Sequence, residues 1–210
     1  MNKISCLNTD IYGITAEKYS CGRSNVEVVR DMLAAGIKII QYREKEKSMF
    51  EKYQECKVIR QLTRDNGVVF IVNDHIDLAL AVEADGVHIG QNDLPIEVVR
   101  QLVDDDMVIG LSTHSPEQAH DAVQRGADYI GVGPIFNTNT KENVCASVGI
   151  DYLKYVAENI DIPFVAIGGI KEHNVLDVKK NGAYCVCLVT EIVGAEDIQA
   201  KIRSIRGVIE

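Results

Sequence analysis

The sequence predicts a (β/α)8 barrel of the TIM type, one domain over residues 1–210. Three observations predict it: short apolar runs recur eight times along the chain, amphipathic stretches separate them, and glycines follow several of those stretches. Continuous rather than alternating apolar runs imply strands covered on both faces, the pattern of a parallel sheet flanked by helices. An open doubly wound sheet is the chief alternative. It is disfavoured by the count of eight runs and by the lack of a Gly-x-Gly-x-x-Gly turn after the first.

In order, the first apolar run covers residues 11–14, and residues 26–35 carry the 3.6-residue periodicity of a helix that stops at Gly36. The second run, 37–40, leads into Gln41-Tyr42-Arg43-Glu44-Lys45. A helix over 49–66 then stops at Gly67 before the third run, 68–72. Only residues 76–84 separate it from the fourth run, 86–89, which leaves room for a helix of about two turns. Helices follow over 96–104, 116–125, 152–159 and 174–180, with strands at 108–111, 129–132, 164–167 and 186–189. Gly126 and Gly182 punctuate the later units as Gly36 and Gly67 do the earlier ones.

Composition bounds the function. Hydrophobic content of 46% and charged content of 25% allow a sizeable core. A formal net charge of -9 argues against nucleic acid or an anionic membrane surface as the partner, so any anion site must be local. The first ten residues lack a long apolar stretch with a small-residue cleavage site, and no segment approaches the about 18 apolar residues of a membrane span; a cytoplasmic location is expected. Six scattered cysteines form no Cys-x-x-Cys pair and are read as reduced thiols, with Cys185 and Cys187 in the core.

A barrel builds its active site at the C-terminal ends of its strands, so polar residues just after the apolar runs carry the chemistry. Gln41, Arg43 and Lys45 alternate and face one way on an extended chain, presenting hydrogen-bond donors and two fixed cations. A solvated charged loop is the other reading of that segment taken alone. Asn73 and Asp74 end the third strand; Gln91 and Asp93 follow the fourth; Ser112 and His114 end the fifth. The sixth continues into a hydroxyl-rich loop with Lys141, the seventh into Gly168-Gly169-Ile170, and the eighth into Thr190. Paired glycines after strand seven suit a backbone N–H cradle for phosphate. Asp74 and Asp93 would converge and repel, which favours either a shared proton or a bound cation; beside Arg43, Lys45 and Lys141, Mg²⁺ bridging carboxylates and phosphate oxygens is the economical reading against an Asp–Arg structural network. His88 reads as a barrel-lining residue, His75 and His114 as neighbours of the mouth, and His120 and His173 as surface positions.

Seven motifs in register carry a resemblance over nearly the whole chain: Gln41-Tyr42-Arg43-Glu44-Lys45, Asn73-Asp74, Asp85-Gly86-Val87-His88-Ile89-Gly90-Gln91-Asn92-Asp93-Leu94, Gly110-Leu111-Ser112-Thr113-His114, Asp128-Tyr129-Ile130-Gly131-Val132-Gly133-Pro134-Ile135-Phe136, Thr138-Asn139-Thr140-Lys141 and Ala166-Ile167-Gly168-Gly169-Ile170. Together they resemble the thiamine phosphate synthase family. The resemblance implies a (β/α)8 transferase that joins hydroxymethylpyrimidine diphosphate to a thiazole phosphate, with or without a carboxylate, and releases pyrophosphate by a dissociative course. It further implies Mg²⁺ on Asp74 and Asp93, pyrophosphate on Arg43, Lys45, Asn73, Ser112 and Lys141, and the aminopyrimidine on Gln41. Arg43, Lys45 and Lys141 would be catalytic. Thr138, Thr140, Gly169, Val189 and Thr190 would take the thiazole phosphate. The partners are thus small molecules, and a homo-oligomer stays open. The family usually has Asp-Gly at Tyr184-Cys185 and serine at Thr190. Thr190 keeps the hydroxyl, while the side chains at 184 and 185 leave the path of the eighth strand open. The related thiazole tautomerases lack the acidic pair and the full cationic set, and a phosphate-sensing barrel would have no need of them.

Overall fold

The computed structural model describes residues 8–138, 140 and 145–209. Strands β1 (Gly13–Ile14), β2 (Ile39–Tyr42), β3 (Val69–Asn73), β4 (Gly86–Ile89), β5 (Val108–Thr113), β6 (Tyr129–Val132), β7 (Phe164–Ile167) and β8 (Cys185–Cys187) are parallel and lie side by side in chain order. Tyr12 N–H donates to Val186 O at 2.9 Å and Val186 N–H to Asp10 O at 3.0 Å, so the eighth strand returns to the first and the barrel closes.

The connections are helices α1 (Asn25–Ala34), α2 (Met49–Asp65), α3 (Ile76–Ala81), α4 (Ile96–Leu102), α5 (Pro116–Gln124), α6 (Gly149–Asn159) and α7 (Val175–Lys180), then α8 (Val189–Val193) and α9 (Ile198–Ile209). Ser24 and Ser48 open α1 and α2 with capping boxes closed by Glu27 and Glu51. The Ser48 cap fixes where the loop bearing Arg43 and Lys45 ends. The glycines expected to stop helices, Gly36, Gly67, Gly126 and Gly182, all have positive φ, between 62 and 99°.

Two apolar layers result. A large one fills the space between strands and helices, with Ile40, Phe70, Val87, Ile130 and Val186 facing outward onto Val28, Ile59, Val99, Leu153 and Ile202. A smaller one fills the barrel itself, from Tyr12, Ile14, Ile39, Val69, Ile71, Val108, Tyr129, Val165, Cys185 and Cys187. The alternation is the two-residue period of the strand, hidden in the sequence because both faces are apolar.

A repeated polar device ties helices to strands at the opposite end from the site. Arg60 of α2 grips Asp85 at 2.7 and 2.8 Å while Asp85 accepts from Phe70 N–H; Arg100 of α4 pairs with Asp128 at 2.6 Å while Asp128 accepts from Ile109 N–H; Arg206 of α9 pairs with Asp10 at 2.6 Å while Asp10 accepts from Ile11 N–H. Each carboxylate therefore satisfies a strand-entry amide and a guanidinium together.

Two expectations are corrected. The eighth run extends as strand only to Cys187: Leu188 leaves the extended region at ψ 65°, and Val189 and Thr190 belong to the short helix α8, which buries Ile192 and Val193. The chain also ends in α9, absent from the sequence reading, whose Ile198, Ile202 and Ile205 recur at helical spacing and are buried. The side chains at 184 and 185 are absorbed locally. Tyr184 is 60% exposed just ahead of β8, with the Lys179 ammonium 5.1 Å from its ring centroid, and Cys185 packs inside the barrel.

Candidate active site

The C-terminal ends of the strands surround a cavity of about 1170 Å³. Gln41, Arg43, Lys45, Asn73, Asp74, Asp93 and Ser112 line one side; Thr138, Thr140, Gly169, Val189 and Thr190 line the other. Lys141 lies outside the described residues.

On the first side the cations differ in engagement. Lys45 forms an ion pair with Asp74. The Arg43 backbone is clamped by Thr15, whose Oγ1 accepts from Arg43 N–H at 2.9 Å, while its guanidinium makes no hydrogen bond or ion pair among the described residues. A fixed backbone carrying an unengaged guanidinium at a cavity wall is suited to a phosphate.

The acidic pair is held by backbone. Asp74 has φ 63°, a left-handed conformation that aspartate tolerates better than most residues, and its N–H donates to His88 O at 2.9 Å. Asp93 Oδ2 accepts from Gly90 N–H at 2.7 Å. Among the described residues no group of three or more His, Cys, Asp or Glu side chains could hold a metal on its own. Two hard carboxylates on the wall of this cavity do match the way Mg²⁺ is commonly held, by one or two carboxylates with substrate oxygens completing the shell. Gln91 Nε2 donates to Ser112 O at 2.7 Å and ties the acidic loop to the end of β5.

A chain of buried and half-buried polar side chains runs along the base of this cavity. Gln41 Nε2 donates to Tyr12 Oη at 3.1 Å, Tyr12 and Tyr129 hydroxyls are 2.8 Å apart, Tyr129 Oη is 2.9 Å from His88 Nδ1, and His88 Nε2 is 2.9 Å from Ser112 Oγ. Tyr12 accepts from the amide, and one proton order consistent with these distances sends its own proton to Tyr129. Tyr129 then donates to His88 Nδ1, and His88 Nε2–H donates to Ser112. This order makes His88 a neutral Nε2–H tautomer, aims the Ser112 proton at the cavity and leaves Gln41 Oε1 as the amide's open acceptor. Burial raises the Tyr12 hydroxyl well above its ordinary value, so it stays protonated. Gly110 makes the arrangement possible: a Cβ there would lie 2.1 Å from Tyr129 Cζ.

The other side is a glycine loop braced by Asn174. Gly168 and Gly169 have φ 97° and 65°, and a Cβ on Gly169 would meet Asn137 O at 2.7 Å. Asn174 Nδ2 donates to Gly169 O at 3.2 Å, and its Oδ1 accepts from Lys171 N–H at 2.7 Å. The N–H groups of Gly169 and Ile170 make no hydrogen bond among the described residues, which fits an oxyanion cradle. Thr138 and Thr140 hydroxyls are 3.1 Å apart, and Thr190 Oγ1 accepts from Lys171 Nζ at 2.9 Å.

Among the histidines, His88 lines the barrel and His114 lines the cavity, its Nδ1 2.5 Å from Gly133 O. His173, expected at the surface, is exposed yet at the cavity rim, because the loop after β7 lines the cavity. His75 turns away to the nearly buried Lys52, 3.1 Å distant, and is not part of the cavity wall; burial, then the Lys52 charge, lowers its pKa. The sequence reading missed Tyr12, Tyr129, Lys171 and Asn174. Only the position of Lys171 directly after the paired glycines could have drawn notice.

A family model described as thiamine monophosphate synthase matches residues 11–192. The chain is 64% identical over 203 residues to the thiamine-phosphate synthase of Pelotomaculum thermopropionicum, covering 97% of this chain and 93% of that one. It is 56% identical over 201 residues to the one from Caldicellulosiruptor saccharolyticus, covering 96% and 91%. The structure of thiamine phosphate pyrophosphorylase from Pyrococcus furiosus superposes with a TM-score of 0.89 at 36% identity, over 98% of this chain and 97% of that one. A 3-hexulose-6-phosphate synthase, at 16% identity and a TM-score of 0.65, shares the fold alone.

Proposed function

The chain belongs to the thiamine monophosphate synthase family, and from that premise we propose that it couples 4-amino-5-hydroxymethyl-2-methylpyrimidine diphosphate to 4-methyl-5-(2-phosphoethyl)thiazole, or its carboxylated form, giving thiamine phosphate and pyrophosphate. The observation that carries this reading is that one cavity is walled on one side by cations and carboxylates and on the other by a hydroxyl and glycine set. That is what two phosphorylated substrates meeting face to face require.

In this reading the diphosphate lies against Arg43, Lys45, Asn73 and Ser112, with Lys141 as a further cation. Gln41 Oε1 accepts from the pyrimidine amino group, because Tyr12 already holds the amide N–H. Ser112 donates its proton to a diphosphate oxygen. The thiazole phosphate sits on Thr138, Thr140, Gly169, Val189 and Thr190. Asp74 and Asp93 would hold Mg²⁺, which when bound neutralises charge on the diphosphate. The bond between the pyrimidine methylene and the diphosphate oxygen breaks, its electron pair leaving with pyrophosphate, and the thiazole nitrogen lone pair forms the new C–N bond. Arg43 and Lys45 act by stabilising the charge that grows on the leaving group, so no protein nucleophile is needed.

Incubating the purified protein with Mg²⁺ and both substrates, and following pyrophosphate release and thiamine phosphate, tests the reading. Absence of product at every metal concentration would sink it.

A further inference from the structure

The loop after β7 carries a cation that the seven motifs do not include. Lys171 directly follows Gly168-Gly169-Ile170, and its backbone is fixed on both sides: its N–H donates to Asn174 Oδ1 at 2.7 Å, and its carbonyl accepts from Val175 N–H at 2.9 Å. The side chain reaches the neighbouring α8, where Nζ donates to Thr190 Oγ1 at 2.9 Å and lies 3.2 Å from Glu191 Oε2. Lys171 and Thr190 line the cavity, whereas Glu191 does not. The carboxylate therefore approaches the ammonium from outside. An ammonium has three donors, and the third makes no hydrogen bond among the described residues.

Glu191 is itself shared, since Lys201 of α9 lies 3.6 Å from its Oε1 and is held more tightly by Glu172 at 2.7 Å. It orients Lys171 without enclosing it. A side chain held at its base by Asn174 and near its tip by Thr190 and Glu191 has already lost much of its rotamer freedom, so engaging a ligand costs little further ordering.

We propose that Lys171 is a further binding residue for the phosphate of the thiazole substrate, selecting the phosphorylated compound over its alcohol, and that Glu191 is a positioning residue for it. This rests on the assignment of the thiazole phosphate to the Gly169 and Thr190 side of the cavity.

Calorimetric titration of thiazole phosphate, and separately of the unphosphorylated thiazole alcohol, into wild type, Lys171→Met, Lys171→Arg and Glu191→Gln tests it without relying on turnover. The expected result is phosphate-ligand affinity weakened about tenfold or more in Lys171→Met, within about threefold of wild type in Lys171→Arg, and weakened by a smaller factor, about threefold, in Glu191→Gln, with alcohol affinity unchanged throughout. In steady state, Lys171→Met raises KM for the thiazole phosphate and leaves KM for the diphosphate alone. Equal affinities in wild type and Lys171→Met overturn the proposal. So does a parallel loss for phosphate and alcohol, or an equal loss in Glu191→Gln, either of which marks Lys171–Glu191 as a structural ion pair. A wild type that binds thiazole phosphate but makes no thiamine phosphate fails the functional reading instead, and the affinity ratio still decides the role of Lys171. A wild type that binds no thiazole phosphate overturns both.

Discussion

The hydroxyls of Tyr12 and Tyr129 lie 2.8 Å apart inside the barrel, although 117 residues separate them in sequence. The contact joins two ends of the site, because Tyr12 also holds Gln41 and Tyr129 also meets His88, which holds Ser112. Tyr129→Phe removes the hydroxyl that joins Tyr12 to His88 Nδ1. Leaving a buried polar group unpaired costs about 1–3 kcal/mol, so a lower Tm is expected. Turnover should fall by about tenfold or more, since the His88 tautomer that aims Ser112 is no longer enforced. Steady-state kinetics beside thermal melts check this; a lower Tm with unchanged kcat would make the chain of hydroxyls purely structural.

The same contact shows what was legible beforehand. Strand positions could be read because a strand buried on both faces must be apolar throughout, and Gln41, Arg43, Lys45, Asp74 and Asp93 stood out as polar residues at the ends of such runs. Tyr12 and Tyr129 sit within the runs, where a tyrosine looks like any core residue. What brings them together is which strand faces which across the interior, a property of the closed barrel that local pattern does not contain. Val189 failed differently. Its backbone was assigned to the eighth strand, because a short helix that buries only Ile192 and Val193 offers too few residues to set a period. Lys171 was passed over because a lysine beside a loop is ordinarily solvated.

Arg43 separates binding from stability. Its guanidinium has no protein partner among the described residues, so Arg43→Met should leave the free energy of unfolding within about 0.5 kcal/mol of wild type. Losing a charge-assisted contact to the diphosphate should raise KM for that substrate about tenfold or more and weaken product inhibition by pyrophosphate in step. An unaltered inhibition constant for pyrophosphate would remove Arg43 from the leaving-group site.

The base of the barrel carries a pH dependence. Burial pushes the Asp10 carboxyl up, but the hydrogen bond and charge of Arg206, with the Ile11 N–H, more than offset this and bring it below its ordinary value of 3.8. A depressed folded-state pKa means that stability is present in full above 3.8 and is lost as pH falls through the lower folded value. Asp10→Asn should therefore melt earlier than wild type at pH 7, and the difference should shrink progressively below pH 3.8. A gap independent of pH would assign the effect to geometry rather than to charge.

Asp74 offers the sharpest test of whether a left-handed turn serves folding or chemistry in this chain. Its φ of 63° is unfavourable for a residue with a Cβ and carries no penalty for glycine, while its N–H bond to His88 O needs no side chain. Its carboxylate meets Lys45, whose side chain is 52% exposed, and an ion pair that open contributes about 0–1 kcal/mol. Relief of the left-handed conformation and loss of the pair nearly cancel, while glycine's freer unfolded state takes back part of the relief. Asp74→Gly should thus remain within about 1 kcal/mol of wild type in denaturant unfolding. If the carboxylate helps hold Mg²⁺ against the diphosphate, the same variant should lose turnover by about a hundredfold or more and require more Mg²⁺ for what remains. Asp74→Asn, which keeps the tolerance for positive φ and removes the charge, should show the same loss of turnover. A large drop in stability with activity preserved in the folded fraction would mean that the strained turn is there to shape the end of β3 and not to present a carboxylate.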